Sequence, residues 1–263
     1  MSVCARALQL GIAYDNNHRR YWEINSVIKF IKKILWFMCL PFLIIIFLTL
    51  EFLNKKFSKV GAEKFWDDHG PFPWVAEMEA ATKDIQEELA GVLSGGDIPG
   101  FQELSKEQES LTEGKEWTVF MLYVVWNKVQ KNCDLCPKTA AALEKIPGMT
   151  SALFSIFAPN KRLAPHRGPY NGVLRYHLAL KIPSEGEKCG ITVGGETRYW
   201  AEGGSLIFDD AWQHEAWNDT DETRVVLFVD FLRPLPWPLN KINKFVFWSF
   251  NKSPLVKNLL DKL

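Results

Sequence analysis

A change of texture at Ser151 constrains this fold more than any other feature of the chain. From there the sequence breaks into short runs rich in β-branched and aromatic residues: Leu153–Phe157, Leu174–Ile182, Ile191–Val193, Thr197–Trp200, Ser205–Phe208 and Val225–Phe231. Turn residues separate them at intervals of about eight to twelve positions. Gly194-Gly195 lies between two of the runs and reads as a two-residue hairpin turn. Strands this short must pair and stack to bury their faces, which is the pattern of a double-stranded β-helix, a jelly roll of the cupin kind. The expected fold is therefore mainly β with flanking helices, the barrel core occupying residues 149–236.

The preceding stretch, 61–148, reads as mainly helical. After Pro71 and Pro73, the segment from Trp74 to Leu89 places Val75, Met78, Ile85 and Leu89 at helical intervals with a polar opposite face, and Gly95-Gly96 ends it. Ala140–Ile146 reads as a second, shorter helix. Cys133 and Cys136 have C-x-x-C spacing, but a structural zinc site needs a second such pair and the sequence has none. With five cysteines scattered over the chain, a disulfide framework is excluded. The two open readings of that pair are structural thiols at a turn and a redox or metal role.

Ahead of this domain, residues 1–26 are polar, and residues 27–56 carry the most hydrophobic segment. Ile34–Leu50 holds no charge, Lys29, Lys32 and Lys33 precede it, and Lys55 and Lys56 follow. A run of this length spans about 25 Å as a helix, short for a bilayer crossing but sufficient with Phe52, Leu53 and snorkelling lysines. It is expected to be a membrane anchor, single-pass or monotopic, with the side of the main domain undetermined. A buried or interfacial helix kinked at Pro41 is the alternative. The tail, 237–263, mixes Trp237, Phe245, Phe247, Trp248 and Phe250 with five lysines. It fits an amphipathic helix at a membrane interface or a helix packed on the barrel.

Equal numbers of acidic and basic residues, 31 of each, remove the global electrostatic case for nucleic-acid binding. Eleven tryptophans and eighteen phenylalanines exceed what a core of this size needs, so some are expected to face a ligand or a bilayer.

Three histidines fall in the β-rich half: His166, His177 and His214. A barrel that folds back on itself can bring His166 and His214 to one mouth, and a pair of imidazoles suits a first-row metal such as ferrous iron. On the strand around Leu174–Ile182, Arg175, His177 and Ala179 share one face while Leu174, Tyr176, Leu178, Leu180 and Ile182 share the other. An arginine and a histidine on the same side of an apolar strand require an anionic partner, and inside a barrel a carboxylate ligand fits that need. Arg224, opening the last strand, is placed to hold a carboxylate as a bidentate pair. Its alternative is a salt bridge to Asp221 or Glu222.

In this order, Ser155-Ile-Phe-Ala-Pro, His166-Arg-Gly-Pro, Leu174-Arg-Tyr-His-Leu-Ala-Leu, Gly204-Ser-Leu-Ile-Phe-Asp-Asp, His214-Glu-Ala-Trp-Asn and Arg224-Val-Val-Leu-Phe-Val-Asp resemble the aspartyl/asparaginyl β-hydroxylase family of iron- and 2-oxoglutarate-dependent oxygenases. The resemblance covers about residues 74 to 236. It implies that His166 and His214 ligate Fe(2+), that Ser155 and Arg224 bind the distal carboxylate of 2-oxoglutarate, and that Arg175 and His177 contact its metal-proximal end. The usual triad of this enzyme class has a carboxylate two residues after its first histidine; Gly168 stands there, an omission for which the aspartyl β-hydroxylases are known. Asp209 and Asp210 are expected in supporting or structural roles. With O2 as cosubstrate, such an enzyme decarboxylates 2-oxoglutarate to succinate and hydroxylates an unactivated C–H. The resemblance leaves two substrate classes open, an Asp- or Asn-containing peptide and a lipid acyl chain at the bilayer, and the apolar segment and tail lean towards the second. A cupin-like module that binds metal or anion without turnover is the alternative of a different class.

Overall fold

The computed structural model describes residues 41–263 apart from 43, 97 and 105–115. It divides into two compact units, Met1–Phe52 and Leu53–Leu263. In the first, residues 44–52 are helical, and Ile44, Ile45, Ile46 and Leu48 are exposed. Residues 27–40 of the expected anchor, 27–56, lie outside the described residues. Among the described residues, no helix is long and apolar enough to cross a membrane.

The second unit is the jelly roll. Its larger sheet contains β1 (Trp117–Val124), β2 (Asn127–Lys128), β3 (Met149–Phe157), β5 (Val173–Lys181), β8 (Ser205–Phe208) and β10 (Arg224–Leu232), in the spatial order β2-β1-β3-β10-β5-β8. The smaller contains β4 (Lys161–His166), β6 (Cys189–Val193), β7 (Glu196–Tyr199) and β9 (His214–Asn218), in the order β4-β9-β6-β7. All pairings are antiparallel. Gly194 and Gly195 both have positive φ, +54° and +83°, so the β6–β7 connection is the expected tight turn.

Period-two alternation divides the large sheet into two faces, each feeding its own core. Phe154, Ile156, Leu174, Tyr176, Leu178, Leu180, Val225, Leu227, Val229 and Phe231 point to one side. There they pack against α1 (Trp74–Ala80), α2 (Thr82–Ser94), α4 (Gln130–Leu135) and α5 (Pro137–Leu143), through Val75, Met78, Ile85, Leu89, Cys133, Ala140 and Leu143. Leu153, Phe157, Ala179, Val226 and Phe208 point the other way and meet Leu163, Ile191, Val193 and Ala216 of the smaller sheet. A short helix, α3 (Phe101–Leu104), precedes β1.

Two expectations change. The stretch 61–148 is not mainly helical throughout: β1 lies within it and pairs with β3, so the barrel draws on residues ahead of 149. Its second half is buried on both faces, which erases the alternation that marks a strand. β4 and β9 were not among the expected runs, because charged and polar residues interrupt both. The tail forms α6 (Leu239–Asn251) and α7 (Pro254–Leu260), of which Leu239, Asn243 and Val256 are buried against the domain.

Cys133 and Cys136 are free and buried. Burial raises both thiols, Cys136 to about 12, so neither is a thiolate at neutral pH. Their C-x-x-C spacing is structural: Cys133 Sγ donates to the Leu122 carbonyl, and both side chains belong to the core beneath the helices.

Candidate active site

The inner face of the large sheet carries polar residues among its apolar ones. Along β10, Arg224, Phe228 and Asp230 face inward with Val226; opposite them in register stand Phe157 of β3 and, on β5, His177 and Arg175. Ser155 of β3 shares this face, two residues from Phe157. From the smaller sheet, His214 points inward with Ala216 and Asn218. His166 reaches the same side only because β4 is irregular. Leu163 pairs with Ala216, but His166 instead of Pro165 pairs with His214, so one extra residue turns the histidine inward. All six residues nominated from the sequence thus line the space between the two sheets.

The rings of His166 and His214 lie 4.1 Å apart. Each Nδ1 meets a backbone carbonyl two residues upstream, Ala164 at 2.9 Å and Trp212 at 3.0 Å. A carbonyl only accepts, so Nδ1 carries the hydrogen in both rings and Nε2 keeps its lone pair. Burial is the main reason that both rings resist protonation, with Arg175 adding to it; His214 is lowered to about 3. Two neutral imidazoles with oriented Nε2 lone pairs form a donor set that fits a divalent transition metal. Among the described residues, no group of three His, Cys, Asp or Glu could hold a metal, so the donor set ends at two.

Gly168 explains why. A Cβ there would stand 2.3 Å from Asp210 Oδ2, and that carboxylate is held at 2.9 Å by Arg175 Nη2. Asp210 therefore fills the space into which a side chain at 168 would project. Gly168→Ala is expected to cost about 1–3 kcal/mol by overpacking. In an Asp210→Ala background the same substitution should cost less than half as much. Denaturant unfolding of the four proteins in that cycle checks it, and additive costs would disprove the conflict.

Asp209, by contrast, is structural. It forms a fully buried pair with Arg233 at 2.6 Å, and its other oxygen accepts the Ala211 N–H. Arg175 also departs from its expected role as a cation awaiting a ligand. It binds Asp230 through Nε and Nη2 (2.9 and 3.2 Å) as well as Asp210, and its guanidinium lies 4.1 Å from the Phe228 ring.

Arg224 is the opposite case. It is 1% exposed, and Nε and Nη1 have no partner. Its guanidinium lies between two aromatic rings, 3.8 Å from Phe157 and 4.6 Å from Trp200. The salt bridge to Asp221 or Glu222 does not form; Glu222 instead accepts from Ser184, and Asp221 from Asn160. Burial lowers Arg224 to about 10 and pushes His177 well below its ordinary range, with the Arg224 charge as the next cause. Both ring nitrogens of His177 also lack partners, as does Nε1 of Trp200, which stacks on His177 at 5.9 Å. Ser155 accepts a hydrogen bond from Trp117 at 3.0 Å. Phe208 joins the two halves, 5.0 Å from His177 and 6.2 Å from His214. Buried cations and donors without partners are costly to keep, and a pocket of them fits an anion. Sequence reasoning missed Trp200 and Asp230. The register opposite Arg175 would have found Asp230, but nothing local marks Trp200.

Comparison with known proteins gives the family. A family model described as Aspartyl/Asparaginyl beta-hydroxylase matches residues 79–234. The chain belongs to the aspartyl/asparaginyl β-hydroxylase family. Within that family it is 45% identical over 216 residues to the ornithine lipid ester-linked acyl 2-hydroxylase of Rhizobium tropici, covering 80% of this chain and 75% of that protein. It is 41% identical over 133 residues to the aspartyl/asparaginyl beta-hydroxylase of Mus musculus, a match spanning 49% of this chain and 18% of that protein. Among solved structures, a prolyl hydroxylase from Trichoplax adhaerens superposes with a TM-score of 0.45 at 7% identity, covering 64% of this chain and 81% of the other. The β-hydroxylase family relatives are hydroxylases by name, and this member is an enzyme of that kind.

Proposed function

We propose that this β-hydroxylase family member is an Fe(II)- and 2-oxoglutarate-dependent dioxygenase that hydroxylates an unactivated C–H of an ester-linked acyl chain in a membrane lipid. The observation that carries the reading is the buried Arg224–His177–Trp200 pocket, where Arg224 Nε and Nη1, both His177 nitrogens and Trp200 Nε1 have no partner, beside the neutral His166–His214 pair, inside one barrel. His166 and His214 would hold the iron through Nε2. Arg224 and Ser155 would take the distal carboxylate of 2-oxoglutarate, and His177 its metal-proximal end. When bound, iron with 2-oxoglutarate and O2 supplies the oxidising chemistry: the keto acid leaves as succinate and CO2, with one oxygen atom in succinate and the other in the hydroxylated product.

This chain's own residues provide position and environment. The carbonyls of Ala164 and Trp212 fix the two imidazole rings in the metal-binding tautomer. Burial is the main reason that the histidines stay neutral, and Arg175, clamped by Asp210 and Asp230, adds a positive charge close to them. Phe157 and Trp200 sandwich Arg224 and exclude water, which strengthens its attraction for a carboxylate.

The lipid substrate is favoured over a peptide by the extent of the two relationships. The lipid acyl hydroxylase aligns over most of both chains, the peptide-type relative over a fifth of its length or less. The test is reconstitution of the full chain with Fe(II), 2-oxoglutarate and O2. Succinate release and a mass gain of one oxygen are expected on an ester-linked lipid acyl chain. A gain on an Asp- or Asn-containing peptide alone would overturn the lipid assignment. Binding of iron and 2-oxoglutarate with no succinate from either substrate would favour a silent cupin-like module.

A further inference from the structure

We propose that the solvent face of α6 is a docking surface for an anionic phospholipid bilayer, which it holds against the mouth of the barrel. The proposal deepens the lipid reading and rests on it for its purpose, but its test is binding, not turnover.

An amphipathic helix on a globular protein turns its apolar stripe inward and its polar face to water. Here Leu239 and Asn243 are buried, and Phe247 packs near Tyr170 and Trp126 at 6.1 and 6.3 Å. The opposite face carries aromatic residues too. Phe245 and Trp248 are 63% and 53% exposed and stack on each other at 5.6 Å. Trp237, just ahead of the helix, is 78% exposed, and Ile242 and Phe250 are exposed as well. Lys241, Lys244 and Lys252 surround this patch, exposed and without an ion pair among the described residues. From Trp237 to the final residue the sequence has five lysines and one acidic residue, a basic surplus in a chain that carries 31 basic and 31 acidic residues in all. Aromatic rings flanked by lysines match the interface of a bilayer with anionic headgroups, where indoles sit at headgroup depth and each lysine adds attraction.

The helix cannot roll to hide these rings. Asn243 Nδ2 donates to the Gly172 carbonyl at 2.7 Å, Asn251 donates to Val125, and Lys262 of the following segment donates to the carbonyls of Glu103 and Leu104 at 2.8 and 3.1 Å. Gly172 lies in the connection from β4, which ends at His166, to β5, which carries Arg175 and His177. The same connection receives Asn54, whose Nδ2 donates to Tyr170 Oη and Asn171 Oδ1 at 3.0 and 3.1 Å. Asn54 follows the apolar stretch Ile44–Phe52 in the chain. The aromatic helix and Asn54 are therefore both fastened to the loop that joins the candidate iron-binding strand to the candidate 2-oxoglutarate-binding strand. Docking there would bring acyl chains to the barrel mouth.

Hydrogen exchange with mass spectrometry on the full chain tests this directly, because it reads α6 separately from the apolar N-terminal stretch. Residues 237–252 are expected to gain protection with vesicles of phosphatidylcholine plus phosphatidylglycerol, and much less with phosphatidylcholine alone. Phe245→Ser with Trp248→Ser should remove that gain without changing the melting temperature, since both rings are exposed. Replacing Lys241, Lys244 and Lys252 with Gln should weaken the preference for anionic vesicles by roughly fivefold per lysine. Exchange of α6 that is unmoved by either vesicle would overturn the proposal. So would protection that follows protein concentration without lipid, which would mean that a second copy covers the face. Lipid hydroxylation without α6 protection would discard the docking surface and keep the activity; protection without turnover would do the reverse.

Discussion

Alanine at His166 or at His214 is expected to weaken Fe(II) binding by at least ~100-fold and to remove succinate release. Loss of outer-sphere support at a metal site already costs about 10–100-fold, and here each substitution takes one of only two imidazoles. A site with a third protein ligand would retain part of its affinity; this one has Gly168 at that place and no other donor among the described residues. Metal content after equilibrium dialysis is the measurement, with a thermal melt to establish that each variant is folded. Full iron occupancy in the double alanine variant would place the metal elsewhere and remove the basis for the enzyme assignment. His177→Ala is the informative control. It shares the interior with the pair but lies on the anion side of Phe208, so it should leave iron content intact while weakening 2-oxoglutarate.

Arg224→Ala is expected to give the second large effect, on 2-oxoglutarate binding. Removing one partner of a buried charge pair costs about 2–5 kcal/mol, which is some 30-fold to several thousand-fold in affinity. The ligand-free protein should tolerate the change better than usual for a buried arginine. Its guanidinium is desolvated without a carboxylate to offset the penalty, so truncation leaves no protein anion stranded. The expected signature is therefore divergent: 2-oxoglutarate affinity falls steeply while stability in the absence of ligand changes little. Calorimetric titration of the metal-loaded protein with 2-oxoglutarate, beside denaturant unfolding without it, separates the two. Unchanged affinity would move the distal carboxylate away from this strand. Asp209, fully buried against Arg233, marks the contrast: there a truncation strands a charge, and the loss should appear in stability.

Local patterning made most of the barrel legible. β8 and the β6–β7 hairpin fall where turn residues and β-branched runs place them, and the division of β5 into an apolar face and an Arg175–His177 face holds in the structure. β1, β4 and β9 were less legible for two different reasons. Burial on both faces removes alternation from β1, while charged and polar residues interrupt the short runs of β4 and β9. The ordered series of motifs with His166, His214, Arg175 and Arg224 singled out the residues that gather in one interior, but residue identity does not reveal what each one touches.

Sequence alone determined the fold class, the family and the residues that meet between the sheets, because strand periodicity and motif order are properties of the chain itself. Only the tertiary structure decided which arginine is available. Arg175 is already paired across the sheet with Asp230 and with Asp210, whereas Arg224 is walled in by Phe157 and Trp200 with Nε and Nη1 unmatched and no carboxylate beside it among the described residues. It also decided that Gly168 must remain glycine and that α6 turns aromatic rings outward. Each of these depends on contacts between segments distant in sequence, and charge pairing, desolvation and close approach are set by such contacts and not by the residues taken singly.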